Sequence, residues 1–202
     1  MIDREFFFDE VRKRLFGGNL SQSQVDGMDF LLTTWEMFFA EKNPKDWQMW
    51  LAYAMATTFH ESNQTMRPIE EIGKGEGHDY AEPTGPYDQS YYGRGHVQLT
   101  WFDNYEKGEQ CLFDKYNLKV PMVQYPHRML EDETSSLILF EGMIGGWFTG
   151  VGLPKYFSVV HKKEDPYNAR KIVNALDKAS IIEGYYWSFK ASLRESDETS
   201  SI

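Results

Sequence analysis

Residues Lys45–Glu61 read KDWQMWLAYAMATTFHE. Trp47, Trp50, Leu51, Ala54 and Phe59 supply apolar positions along this run, and Pro44 sits just ahead of it, where a fixed φ and a missing N–H suit a helix start. The pattern predicts a helix from about Lys45 to Phe59, which leaves His60 and Glu61 at its C-terminal end. Its most apolar part, Trp50 to Phe59, contains Thr57 and Thr58 and falls far short of the roughly 20 residues a bilayer core demands.

Upstream, SQSQVDGMDFLLTTWEMFFAEK begins with Ser21, a good N-cap, and places Val25, Met28, Leu32, Trp35 and Phe39 at spacings of three and four. That is an amphipathic helix. Downstream, Arg67 to Tyr92 is punctuated by Pro68, Gly73, Gly75, Gly77, Pro83, Gly85 and Pro86, so a long loop is expected, of a length that often lines binding sites. His96 to Trp101 reads as a short strand or as a turn into the next helix. Ser135 to Phe148 reads as a buried helix ending near Gly150. From Tyr167 to Leu193 the period is helical, with Ile172, Leu176, Ala179, Ile182, Tyr186, Phe189 and Leu193 on one face.

The chain has 202 residues, 41% of them hydrophobic and 16% aromatic, which suits one well-packed domain and is short for two. A formal charge of −10 repels a phosphate backbone, so nucleic acid is excluded as a partner, and it disfavours general adhesion to anionic membranes. Cys111 is the only cysteine, so no internal disulfide forms. The first residues, MIDREFFFDEVRKRL, show neither an apolar h-region nor a cleavage site, which predicts synthesis in the cytoplasm. The closing ESDETSSI reads as a frayed tail.

Chemistry-bearing residues cluster after the central helix. HESNQ at His60 to Gln64 resembles a zinc-binding HExxH motif, but Gln64 stands where the second imidazole belongs, so no metal site is expected. Glu61 at a helix C-terminus meets the negative end of the macrodipole, which favours its protonated form and suits a general acid. Glu70, Glu71, Glu76 and Glu82 are candidate partners, and a pair of carboxylates is what glycosidic cleavage requires: one protonates the leaving oxygen, the other activates water or attacks carbon. In SYYGRGHVQLTWFDNY, Ser90 to Tyr105, aromatic Tyr91 and Tyr92 mix with polar Gln98, Thr100 and Asn104. Such a mixture suits sugar binding and equally describes a tight turn flanked by core aromatics.

Taken together, HES at His60 to Ser62, MRPIEEIG at Met66 to Gly73, YYGRGHVQLTWFDNY at Tyr91 to Tyr105, GWFTG at Gly146 to Gly150 and KIVNALDKA at Lys171 to Ala179 resemble the glycoside hydrolase family 19 chitinases and the related phage and bacterial endolysins. The segments fall in family order between about Leu20 and Leu193, and YYGRGxxQL is the most specific. The resemblance implies a mainly α, lysozyme-like, two-lobed helical domain with a substrate cleft and little or no sheet. Residues 1–193 would form the catalytic domain and 194–202 a flexible tail.

By the same resemblance Glu61 is the general acid, Glu71 the second carboxylate with Glu70 as the alternative, and Thr100 a hydroxyl that helps hold the attacking water. His60, Tyr92, Gln98, Asn104 and Asn174 fall at substrate-contacting positions, and no metal or organic cofactor is implied. Family members invert the anomeric centre, which needs roughly 6.5 to 9.5 Å between the carboxyl groups. The implied substrate is peptidoglycan, cut by an endolysin acting on the wall after release, with chitin as the alternative. A third reading is a catalytically silent glycan-binding protein, and a monomer is expected throughout. Two features depart from the family pattern: the disulfide-forming cysteines of plant members are absent, and Ala175 stands where a Gly commonly follows the Asn.

Overall fold

The computed structural model describes residues 1–42 and 45–195. Two helices form its centre. One, α3 (Trp47–Glu61), is buried on every side from Met49 to Phe59, which is why its apolar pattern shows no single stripe. The other, α5 (Asp132–Gly145), is buried from Thr134 to Met143. Around α3 pack α7 (Ala179–Ser192) and, behind it, α1 (Arg4–Leu15), while α2 (Gln22–Phe38) and α4 (Phe102–Tyr116) pack on α5. The two groups meet where α3 touches α2 and α5, giving the two-lobed helical domain expected from sequence.

Aromatic side chains fill both groups. Tyr53 of α3 meets Phe157 and Tyr186, Phe59 meets Tyr185 and Phe189, and Trp35, Phe39 and Phe140 join α2 to α5. Each such pair adds about 0.5–1.5 kcal/mol beyond simple area burial. No helix among the described residues is long and apolar enough to cross a membrane.

Local chemistry sets the ends of α2 and α3. Ser21 Oγ accepts the Gln24 N–H at 3.2 Å while the Gln24 side chain accepts the Ser21 N–H at 3.0 Å, a reciprocal cap that fixes the start of α2. Gln24 also donates to the Gln64 carbonyl, tying this start to the turn after α3. That turn runs through Asn63, Gln64 and Met66, all at positive φ, and crosses α2 at Gly27, where a Cβ would stand 2.3 Å from the Met66 carbonyl oxygen. The helix expected from Lys45 begins at Trp47, and Pro44 lies outside the described residues.

Four expectations are corrected. The stretch from Arg67 to Tyr92 is not wholly irregular: β1 (Ile69–Glu70) pairs antiparallel with β2 (Arg94–Gly95), with Glu70 opposite Arg94, and a 3-10 turn covers Asp79–Ala81. The buried helix α5 ends at Gly145, short of Gly150. The single helix expected from Tyr167 to Leu193 is broken into α6 (Pro166–Ala169), a 3-10 turn at Arg170–Ile172, and α7. The cause is Arg170, which turns inward and donates from Nε to the Asp177 carbonyl at 2.9 Å, closing a loop that leaves Leu176 exposed. Finally, Arg194 and Glu195, assigned to the tail, are held: Arg194 donates to Asp3 at 2.8 Å and Glu195 bridges Ile2. Residues 196–202 lie outside the described residues.

His96 to Trp101 is the turn into α4, with Leu99 bridging back to Arg94. A second hairpin, β3 (Phe157–Ser158) with β4 (Lys163–Glu164), lies beside the starts of α3 and α6. Its first strand accepts the Trp50 indole N–H at the Phe157 carbonyl.

Candidate active site

The end of α3 and the β1–β2 pair enclose a groove of about 490 Å³, lined by His60, Glu61, Glu70, Glu71, Gln98 and Thr100 among others. Six of the residues singled out from sequence, His60, Glu61, Glu70, Glu71, Gln98 and Thr100, are thus brought together.

Glu61 is delivered by α3, which is buried on every side up to Phe59. Its Oε1 accepts from Arg170 Nη1 at 2.7 Å, and the Arg170 side chain is 3% exposed against 17% for Glu61. A fixed guanidinium therefore lies beside Glu61 at the negative end of α3. Arg170 was missed because its partner lies 109 residues away. The available signal was its setting, a cation flanked by Ala169 and Ile172 in a stretch otherwise headed for the core.

Glu71 is held by local contacts. Its Oε1 accepts from the Tyr80 hydroxyl and its Oε2 from the Gly93 N–H, both at 2.9 Å, while the Glu71 N–H donates to the Gly93 carbonyl at 2.7 Å. A bare Gly93 leaves room for this: a Cβ there would lie 3.2 Å from Glu71 Oε2 and 3.0 Å from Gln98 Oε1, a tight contact. Burial, reinforced by the bond to Glu71, pushes the Tyr80 hydroxyl up to about 12, so it stays a proton donor to the carboxylate at neutral pH. Tyr80 was also missed, because the loop that carries it shows no periodicity.

Glu70 is engaged differently. Its Oε1 accepts from the Tyr92 hydroxyl at 2.8 Å, and Lys74 and Arg94 lie 3.7 and 3.6 Å from the carboxylate. The Tyr92 hydrogen bond, followed by the Lys74 and Arg94 charges, holds its carboxyl below the usual carboxylate range. A carboxylate stabilised in this way is a weaker base.

Of the remaining sequence candidates, Tyr92, Asn104 and Asn174 do not line the groove, and Gln98 lines it while bonding to backbone. Tyr92 is 7% exposed, and the Arg94 guanidinium lies 3.5 Å over its ring, so this aromatic face is covered by a cation. Asn104 donates its side-chain amide to the Thr100 carbonyl at 2.9 Å and so fixes the backbone that carries the hydroxyl. Gln98 donates to the carbonyls of Ile69 and Gly95 at 3.0 Å, bracing the strand pair. Asn174 is exposed and accepts the Ala175 N–H; it sits on the loop closed by Arg170.

A mainly helical two-lobed domain, with two carboxylates from α3 and a short antiparallel strand pair facing one groove, aligns over nearly its whole length with solved chitinases. The fold is that of the family 19 chitinases. A class IV family 19 chitinase from Zea mays matches with a TM-score of 0.57 and 15% identity, over 94% of this chain and 91% of that one. A bacterial family 19 chitinase gives 0.54 and 15%, over 94% and 93%. Chitinase C from Streptomyces griseus gives 0.51 and 16%, over 94% and 90%. No family model matches the sequence, and no curated protein is similar enough to count as a match. The fold is thus shared at only 15–16% identity with these three.

Proposed function

We propose that this chain is a glycoside hydrolase that cleaves β-1,4 bonds of an N-acetylhexosamine polymer by an inverting acid/base mechanism. The observation that carries the reading is the joint presence of Glu61 and Glu71 on one groove, each carboxylate held by fixed donors. Glu61 protonates the leaving glycosidic oxygen. Glu71 deprotonates a water on the opposite face of the sugar, with Thr100 helping to hold that water. Among the two acidic neighbours, Glu71 fits the base better because Glu70 is stabilised by two cations and the Tyr92 hydroxyl.

Peptidoglycan is the leading substrate in this reading, reached after synthesis in the cytoplasm and release to the wall. Chitin is the second reading, favoured by the chitinases that share the fold. The deciding experiment is mass analysis of products from purified peptidoglycan and from chitin oligomers, using wild type and Glu61→Gln. New reducing ends at muramic acid from wild type alone establish a muramidase. Chitin cleavage alone establishes a chitinase. Binding of glycan with no cleavage of either sinks the enzyme reading. Nuclear magnetic resonance of fresh products reads the anomer directly, and retention overturns the inverting mechanism.

A further inference from the structure

The charge of −10 is unevenly spread. The β3–β4 hairpin ends in Val159-Val160-His161-Lys162, and its two valines are 53% and 65% exposed. The tip is anchored, not loose: the Val159 N–H donates to Asp46 Oδ1 at 2.7 Å, at the start of α3. Lys162 and Lys163 continue the tip, and Lys45 and Lys190 face them across a shallow pocket of about 300 Å³ that Val159 also lines. Lys190 links the hairpin to α7. It pairs with Glu164 at 2.5 Å and lies 5.5 Å over the ring of Trp187, which is 47% exposed.

Two carboxylates bond to this patch, Asp46 and Glu164. Both are engaged, Asp46 by the Val159 N–H and Glu164 by Tyr186 and Lys190. The patch thus joins lysines to exposed apolar side chains.

We propose that the β3–β4 hairpin and Trp187 form a docking surface for an anionic lipid bilayer. Lys45, Lys162 and Lys163 meet headgroup phosphates, while Val159, Val160 and Trp187 settle at the boundary between headgroups and acyl chains. Lysines near an anionic surface each strengthen binding about fivefold, and indole rings favour that interfacial depth. The valines choose the partner. A soluble polyanion satisfies lysines but takes no apolar area out of water, whereas a bilayer does both. The acidic remainder of the chain then makes docking one-sided, because other faces are repelled. This surface shares no residue with the groove of Glu61 and Glu71, so it stands apart from the hydrolase reading.

The test is co-sedimentation of the full chain with phosphatidylcholine vesicles, with and without phosphatidylglycerol, at low and high salt. Binding is expected only with phosphatidylglycerol, weakened by salt and accompanied by a blue shift of tryptophan emission that Trp187→Phe abolishes. Lys162→Gln and Lys163→Gln should each weaken partitioning about fivefold. Val159→Ser with Val160→Ser should weaken it by a similar factor, with circular dichroism unchanged. Failure to bind phosphatidylglycerol vesicles overturns the proposal. So does equal binding to pure phosphatidylcholine, full binding by these variants, or equally tight binding to soluble polyphosphate.

Discussion

Glu61 and Glu71 face one groove from two kinds of structure. Glu61 ends a helix buried on all sides and is paired with a cation 109 residues away, while Glu71 follows a short strand and takes its donors from Tyr80 and Gly93, 9 and 22 residues away. The first arrangement ties a carboxylate to the integrity of the whole domain. The second leaves a carboxylate adjustable by small changes in one loop. Damage on the Arg170 side should therefore appear first as lost stability, and damage on the Gly93 side first as lost activity.

The largest effect is expected from Arg170→Ala, which leaves Glu61 without its guanidinium and the Asp177 carbonyl without its donor. Removing one partner of such a buried pair costs about 3 kcal/mol, read as a lower urea midpoint. An unchanged midpoint would break the comparison. Turnover should also fall, because Glu61 loses its fixed position.

Next comes acid sensitivity on the strand side. His96 follows β2, is fully buried, and has its imidazole pushed down to about 3 by burial. Below the ordinary value of 6.5 the unfolded chain takes up a proton that the folded chain refuses, so stability falls as pH drops from 6.5 toward 3. The slope from this one group approaches about 1.4 kcal/mol per pH unit. Urea unfolding at several pH values should show it, and His96→Gln should flatten it; an equally steep slope in that variant assigns the acid sensitivity elsewhere.

Gly93→Ala sharpens the comparison. The new Cβ meets the Glu71 carboxylate and the Gln98 amide oxygen, and such crowding costs about 1–3 kcal/mol when neighbours cannot move. Here they end in side-chain atoms near a groove, so the stability loss should lie at the low end while kcat falls more than the midpoint predicts. The smallest effect is Tyr80→Phe. It removes one hydrogen bond to a carboxylate, about 1.5 kcal/mol at most in this partly solvated setting, and should lower kcat with little change in melting temperature. An equal loss of stability in both variants would mean that the loop is as structural as α3.

The same contrast explains what the sequence revealed. Local rules were enough for α2, where Ser21 caps and Val25, Met28, Leu32 and Trp35 keep helical spacing, and for the placement of Glu61 at the end of α3. They failed wherever a distant group intervened. The period from Tyr167 to Leu193 is helical on paper, yet Arg170 is drawn inward to Glu61 and breaks it. Tyr92 has the composition of a sugar platform, but residue type does not tell which face is free, and Arg94 covers it. Asn104 and Gln98 sit in the expected motif and spend their amide donors on backbone carbonyls. Their effect on the groove is to shape it.

The pairing of Glu61 with Arg170 also orders events during synthesis. Translation releases Glu61 long before its counterion, since 109 residues separate them. Any chain that stops short of Arg170 carries Glu61 with no guanidinium to seat it, and α7, which covers α3, comes later still. The groove is thus completed only after Arg170 and α7 have been made, and a chain interrupted before them holds Glu61 without the contacts that fix it.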